Sequence, residues 1–161
     1  MSRRVFFSFH YERDIWRAQQ VRNSWVTRPS RSAAGFFDGS LAEAAKTEND
    51  ARLKAAIRQG LRGTTCTVVL IGARTAQRKY VLYEIAESHA RGNALVGVRI
   101  HRLKNRRGRT DLRGENPFTR VAALGRYAPY VGRRVPVYDW VRDGGYRNLG
   151  RWVASAVREQ T

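Results

Sequence analysis

The chain has 161 residues, of which 42% are hydrophobic, and a formal net charge of +18. This length and composition predict a single globular domain over residues 1–161 and exclude a disordered chain. No apolar run approaches the roughly 20 residues of a membrane span, and the N-terminus lacks the apolar core of a signal peptide. We therefore expect a cytoplasmic protein with no membrane contact, whose single cysteine, Cys66, is a buried thiol.

The positive charge comes almost entirely from arginine, since all but four of the 31 lysine and arginine residues are Arg. Its densest stretch is the basic segment, residues 99–113. A charge of this size attracts polyanions whatever the fold. The basic segment contains Asn105 and Gly108 but no aromatic residue that could stack on bases, so it predicts an exposed loop. A basic nucleic-acid-binding module nevertheless remains an alternative function.

Apolar runs with β-branched and aromatic residues predict strands over residues 4–9, 33–38, 64–71, 95–100 and 134–138. Apolar residues at helical spacing predict helices over residues 15–25, 50–61, 79–91 and 146–158. Asp14 is the expected N-cap of the first helix, whereas residues 41–48 and 118–134 show no clear pattern. Alternating strands and helices form parallel sheets covered on both faces. The pattern predicts an α/β, flavodoxin-like three-layer sandwich with a mainly parallel five-stranded sheet, whose last strand lies at an edge because it contains Pro136.

Polar and aromatic residues gather where three of these strands end. In an open α/β sheet, a ligand binds at the carboxyl ends of the strands. The first loop offers Ser8, Phe9, His10 and Tyr11, the second offers Asp38 and Ser40, and the third leads from Gly72 to Tyr80 and Glu84. The chain has no glycine-rich phosphate motif and no metal-ligand spacing among its His and Cys residues, so we expect neither a metal nor a bound cofactor.

Tyr80 and Glu84 are four residues apart, so on the predicted helix they share one face. A carboxylate near the start of a helix can simply interact with the helix dipole. His10 can equally be a hydrogen-bonded loop residue, and Asp38 can be an N-cap or the phosphoacceptor of a receiver-like domain. A receiver would need an acidic pair after the first strand, where this chain has Phe9 and His10. The residues by themselves leave the role of Glu84 open.

Several segments together resemble the ThsB family of TIR-like proteins from the Thoeris antiphage-defence system. They lie between residues 4 and 118 and are Arg4–Tyr11, Trp16–Val26, Thr65–Gly72, Lys79–Ile85, Arg91–Gly97 and Asn116–Phe118. The resemblance implies a TIR-like fold and an enzyme that consumes NAD+. Such TIR enzymes cleave the bond between nicotinamide and ribose. They convert the ADP-ribose part into a signal, often a cyclic isomer, that activates a separate effector protein.

The same resemblance implies the roles of individual residues. Glu84 corresponds to the catalytic carboxylate of the family, and Tyr80 stands where relatives commonly carry Trp. With NAD+ as the implied ligand, the residues at the three strand ends become the expected NAD+-binding residues, namely Ser8, Phe9, His10, Tyr11, Asp38, Ser40 and Tyr80. NAD+ is then the substrate, with no cofactor and no metal, and a phage-derived trigger and self-association are further expectations. A non-catalytic TIR-like adaptor is the alternative.

One carboxylate can suffice for the implied reaction. Breaking the N-glycosidic bond builds positive charge on the ribose, which a fixed carboxylate stabilises. Nicotinamide is already a good leaving group, so a second acid is unnecessary. Glu84 must be ionised in this role, and we therefore expect it to be partly buried or supported by hydrogen bonds.

Overall fold

A parallel β-sheet forms the centre of the protein. The computed structural model describes residues 3–35, 50–124 and 134–160. In these ranges the strands are β1 (Arg3–Ser8), β2 (Arg31–Ala34), β3 (Cys66–Ile71), β4 (Ala94–Arg99) and β5 (Val137–Asp139). Their order across the sheet is β2-β1-β3-β4-β5, and every neighbouring pair is parallel. The predicted flavodoxin-like α/β architecture is confirmed, with β5 at an edge.

Helices cover both faces of the sheet. The described helices are α1 (Tyr11–Val26), α2 (Asp50–Leu61), α3 (Lys79–Ala90), α4 (Pro117–Leu124) and α5 (Gly145–Gln160). Buried residues of α1 and α5 join those of β1, β3 and β4 in one core, and those of α3 and α4 form a second core on the opposite face. None of these helices has the length and apolar character needed to cross a membrane.

Alternation along β1 decides which groups reach each face, since successive side chains of a strand point to opposite faces. Val5 and Phe7 are fully buried in the core that α1 and α5 cover. Phe6 packs instead with Ile57 of α2. Ser8 lies two residues after Phe6 and projects from the same face. The last residue of β1 therefore carries its hydroxyl to the side of the sheet that α3 covers.

Helix α1 begins earlier than the sequence predicts. Its first residue is Tyr11, and the predicted N-cap, Asp14, lies buried in the first turn. The residue before the helix, His10, makes no side-chain capping bond. The predicted N-cap role of Asp14 is wrong because the helix already begins at Tyr11. Asp14 Oδ1 instead pairs with Arg17 Nη1 at 2.9 Å. A buried arginine requires a charged partner, since an unpaired buried charge is strongly destabilising.

Other elements also differ from the predictions, among them β5, which covers residues 137–139 instead of 134–138, so that Pro136 precedes it. Strand β2 covers residues 31–34 and so begins two residues before the predicted strand, and Gly35 ends it with a φ of 91°. Residues 36–38 of that prediction lie outside the described ranges. Helix α4 lies in a region where the sequence shows no clear pattern. There, Asn116 Oδ1 accepts a hydrogen bond from the Phe118 N–H at 2.8 Å, and Pro117 occupies the first helical position. An Asn cap followed by Pro is a common helix start, and it explains this short helix.

The basic segment is held against α1. Arg17, whose side chain is 2% exposed, donates hydrogen bonds to the carbonyl oxygens of Leu103 at 2.8 Å and Arg109 at 2.9 Å. Arg13 makes two hydrogen bonds to the Asp111 carboxylate, at 2.7 and 3.0 Å. Residues 100–113 form neither helix nor strand, as predicted for a loop. They are nevertheless anchored at several points through α1.

Replacing Arg17 with alanine tests this anchoring. We expect Arg17→Ala to lower the free energy of unfolding by about 3–5 kcal/mol, because it leaves the buried Asp14 carboxylate without its charged partner. Urea denaturation measures the change. Arg106→Ala is the control, because Arg106 lies exposed in the same basic segment, and its effect should stay within about 0.5 kcal/mol. Equal effects of the two substitutions would contradict the anchoring role.

Candidate active site

A serine and a glutamate meet at the carboxyl end of β1. Ser8 Oγ donates a hydrogen bond to Glu84 Oε1 at 3.0 Å. Ser8 is the fully buried last residue of β1, and Glu84, in the second turn of α3, is only 5% exposed. The structure thus brings two of the predicted site residues into direct contact, and it buries Glu84 more deeply than the sequence analysis expects.

Burial dominates the electrostatics of Glu84. It raises the pKa of the Glu84 carboxyl from 4.5 to about 8, and the hydrogen bond from Ser8 opposes only part of this increase. At neutral pH the carboxyl is therefore mainly protonated in the free protein. An ionised Glu84 needs a further stabilising group, which a cationic ligand beside it would supply.

His10 lies two residues after Ser8 in the sequence, and the charges of three arginines act on it. Burial, and then the charge of Arg78, lowers the pKa of His10 to about 4; Arg13 and Arg74 act in the same direction and Glu12 opposes them. The imidazole is therefore neutral at physiological pH. Its Nδ1 has no hydrogen-bond partner within the described ranges. A neutral imidazole can both donate and accept a hydrogen bond, so it suits a hydroxyl group of a ligand.

The aromatic residues after β1 belong to the other face of the sheet. Phe9 is buried in the core that α1 and α5 cover, and Tyr11 packs against that core. Their ring centroids lie 6.1 Å apart in a stacked arrangement. Phe9 and Tyr11 thus stabilise the turn from β1 into α1, and the sheet lies between Phe9 and the side on which Ser8 contacts Glu84.

Tyr80 connects α3 to α2. Its hydroxyl donates a hydrogen bond to Asp50 Oδ1 at 2.8 Å. Asp50 also pairs with Lys79 at 2.9 Å and with Lys54 at 3.2 Å. Hydrogen bonds from Lys79, Tyr80 and Lys54 hold the pKa of Asp50 well below its usual range. Tyr80 therefore fixes the first turn of α3, one turn before Glu84.

Two arginines that the sequence analysis does not single out belong to this region. Arg74 and Arg78 lie exposed on the loop between β3 and α3, and their charges act on His10 at the end of β1. Their position in a strand-end loop is the signal that could have identified them.

Of the remaining predicted residues, Asp38 and Ser40 lie outside the described ranges. Within those ranges, no group of three or more His, Cys, Asp or Glu residues could hold a metal ion.

The raised pKa of Glu84 makes the stability of the protein depend on pH. Between pH 4.5 and about 8, the folded state retains a proton on Glu84 that the unfolded state releases. Stability therefore falls as the pH rises through this window. We expect Glu84 to lower the free energy of unfolding by roughly 1.4 kcal/mol for each pH unit in this window. Urea denaturation of the wild type and of Glu84→Gln at several pH values isolates this contribution, since glutamine does not titrate.

Glu87→Gln is the matched control, because Glu87 lies on the same helix and is only half-buried. Relative to the wild type, Glu84→Gln should become steadily more stable as the pH rises through the window. Glu87→Gln should show a much flatter difference. A stability difference for Glu84→Gln that does not change with pH would contradict a buried, protonated carboxyl.

Comparison with known proteins identifies the family. The sequence profile described as "Thoeris protein ThsB, TIR-like domain" matches residues 6–105. A protein of Bacillus cereus (strain MSX-D12), named "Putative cyclic ADP-D-ribose synthase ThsB1", is 38% identical over 191 aligned positions, which cover 95% of this chain and 100% of that protein. The profile match includes Ser8 and Glu84. The chain belongs to the ThsB family of TIR-like proteins of the Thoeris system.

Proposed function

We propose that the protein cleaves the nicotinamide–ribose bond of NAD+ and converts the ADP-ribose part into a signalling nucleotide, a cyclic isomer, that activates a separate effector protein. The observation that carries this proposal is the buried Ser8–Glu84 contact at the carboxyl end of a central strand, where α/β sheets of this kind bind ligands. The name of the Bacillus cereus relative, which mentions cyclic ADP-D-ribose, supports the same reaction class.

Glu84 is the group that stabilises the transition state in this proposal. When the bond from C1′ of ribose to nicotinamide breaks, its electron pair leaves with nicotinamide and positive charge develops on the ribose. A fixed carboxylate close to that charge lowers the barrier. Nicotinamide leaves as a neutral molecule, so no acid has to protonate it. In cyclisation, a nucleophilic atom of the same ADP-ribose part, instead of water, then forms the new bond to C1′, and exclusion of water favours this outcome over hydrolysis.

Substrate binding would ionise Glu84. In the free protein, burial keeps the carboxyl mainly protonated, with a pKa of about 8. The nicotinamide ring of NAD+ carries a positive charge, and an opposite charge within about 4–6 Å lowers the pKa of a carboxyl. The proton passes to solvent as NAD+ enters, and Ser8 continues to donate its hydrogen bond to the carboxylate. The catalytic charge is then formed only when its substrate is present.

Neighbouring groups would hold the rest of the substrate. The neutral His10, with Nδ1 unpartnered in the described ranges, suits a ribose hydroxyl. Arg74 and Arg78 bring positive charge to the same strand end and would bind the pyrophosphate. A nucleotide product carries the signal by diffusion, so the effector need not contact the enzyme. A phage-derived trigger and self-association remain part of the proposal.

Loss of activity in Glu84→Gln tests the proposed reaction. We expect this variant to release nicotinamide from NAD+ at least about a hundredfold more slowly than the wild type, because it cannot supply the charge that stabilises the ribosyl cation. Glu87→Gln, on the same helix, should retain activity. Mass spectrometry of small molecules from phage-infected cells that express each protein measures nicotinamide and the nucleotide product. Equal product levels in the wild type and Glu84→Gln would contradict the role of Glu84.

The pH dependence of the reaction tests the ionisation of Glu84. In the wild type, kcat/KM should rise with pH and level off above a pKa of about 8, since kcat/KM reports the free enzyme. Because the hydrogen bond from Ser8 lowers that pKa, Ser8→Ala should move the midpoint to a higher pH. Ser88→Ala is the control, since it removes a buried hydroxyl from the helix that carries Glu84, and that hydroxyl pairs with Thr67 of β3. A midpoint that Ser8→Ala leaves unchanged would contradict the proposal.

A further inference from the structure

A second group of basic residues surrounds a cavity at the carboxyl ends of β4 and β5. We call it the arginine cavity, and its volume is about 210 Å³. Its basic lining consists of Arg99, His101, Arg102, Arg113 and Arg142. These residues come from three parts of the chain: the end of β4 with the turn after it, the end of the basic segment, and the turn after β5. The fold therefore gathers positive charge here from distant positions.

The carboxylates of the arginine cavity are already engaged. Asp139 Oδ2 accepts a hydrogen bond from Arg102 Nε at 3.1 Å, and its Oδ1 accepts one from the Arg142 N–H at 3.0 Å. Asp143 Oδ2 accepts a hydrogen bond from the Asp139 N–H at 2.7 Å. In the described part of the chain, no carboxylate forms an ion pair with Arg99, Arg113 or Arg142. Three guanidinium groups thus line one cavity without an ion pair to a described carboxylate.

Burial disfavours the charged forms of two groups in the cavity lining, Arg99 and His101. Arg99 is half-buried, and burial, followed by the charge of Arg113, lowers the pKa of its guanidinium, while the charge of Asp139 opposes only part of this decrease. Arg99 Nη1 finds only a neutral partner, the carbonyl oxygen of Gly114, at 2.7 Å. His101 is 6% exposed, and its Nδ1 lacks a partner among the described residues. An anion in the cavity would offset the repulsion between the two arginines.

The arginine cavity is separate from the Ser8–Glu84 contact. In the sheet order, β3 stands between β1, which ends with Ser8, and β4. Adjacent strands are about 4.8 Å apart, so the ends of β1 and β4 are separated by roughly 10 Å. Arg74 and Arg78, proposed above for the pyrophosphate of NAD+, do not line the cavity.

We propose that the arginine cavity binds the phosphate groups of a small anion of the nucleoside diphosphate class. Guanidinium groups form paired hydrogen bonds to phosphate oxygens, which makes arginine well suited to phosphate recognition. The four arginines of the lining outnumber its two aspartates, so the cavity keeps a net positive charge that attracts a diphosphate. The small volume favours a compact diphosphate over a nucleic-acid backbone, which would follow an open groove.

Binding of inorganic diphosphate and of ADP, measured by isothermal titration calorimetry with the full chain, tests this site. The cavity variant, Arg113→Gln with Arg142→Gln, removes two exposed charges of the lining. The matched variant, Arg106→Gln with Arg107→Gln, removes two exposed charges from the basic segment outside the cavity. We expect binding to weaken at least about tenfold in the cavity variant and less than about threefold in the matched variant.

Three results would overturn the proposal. The first is a wild type that binds neither probe. The second is an equal loss in both variants, which indicates diffuse attraction by the net charge. If a single-stranded oligonucleotide then binds with a steep salt dependence, the surface is a nucleic-acid interface. The third is a loss confined to a variant with Arg74→Gln and Arg78→Gln, which would place the diphosphate at the end of β1. None of these results depends on NAD+ cleavage.

Discussion

The hydrogen bond between Ser8 and Glu84 is the contact on which the proposed chemistry depends. It joins the last residue of β1 to α3 across 76 positions of sequence, and both side chains are buried. Because β1 is central, its carboxyl end lies between loops from neighbouring strands, which is where a ligand enters. The same burial that fixes the geometry also raises the pKa of Glu84 to about 8. Position and protonation state therefore have one physical origin.

Glu84 differs from three other buried or half-buried carboxylates in what it contacts. Asp14, Asp111 and Asp139 each pair with an arginine. Glu84 instead accepts a hydrogen bond from the neutral hydroxyl of Ser8. The chain has a net charge of +18, yet among the described residues no cation acts on the Glu84 carboxyl. The carboxyl is therefore still able to respond to a cation. A cationic substrate can therefore change its ionisation, which a carboxylate already paired with arginine would resist.

The sequence predicts the architecture well and the site only in part. Helix α2 begins and ends where its apolar spacing and its polar N-terminus place it, at Asp50 and Leu61. The contact between Ser8 and Glu84 could not be derived from spacing, because it depends on how α3 lies over β1. Helix α4 carries its apolar side chains over only two turns, too few for a clear periodicity. The role of Arg17 was equally hidden, since its partners are carbonyl groups of a distant loop.

The most direct test of the account is the pKa of the Glu84 carboxyl itself, with and without a cationic ligand. Carbon-13 NMR of side-chain carboxyl groups, with Glu84→Gln to assign the resonance, gives this value. In the free protein the resonance should titrate with a midpoint of about 8. With a carbocyclic, non-cleavable analogue of NAD+ bound, the midpoint should fall by at least about one unit. A midpoint near 4.5 in the free protein, or one that the analogue leaves unchanged, would contradict the account.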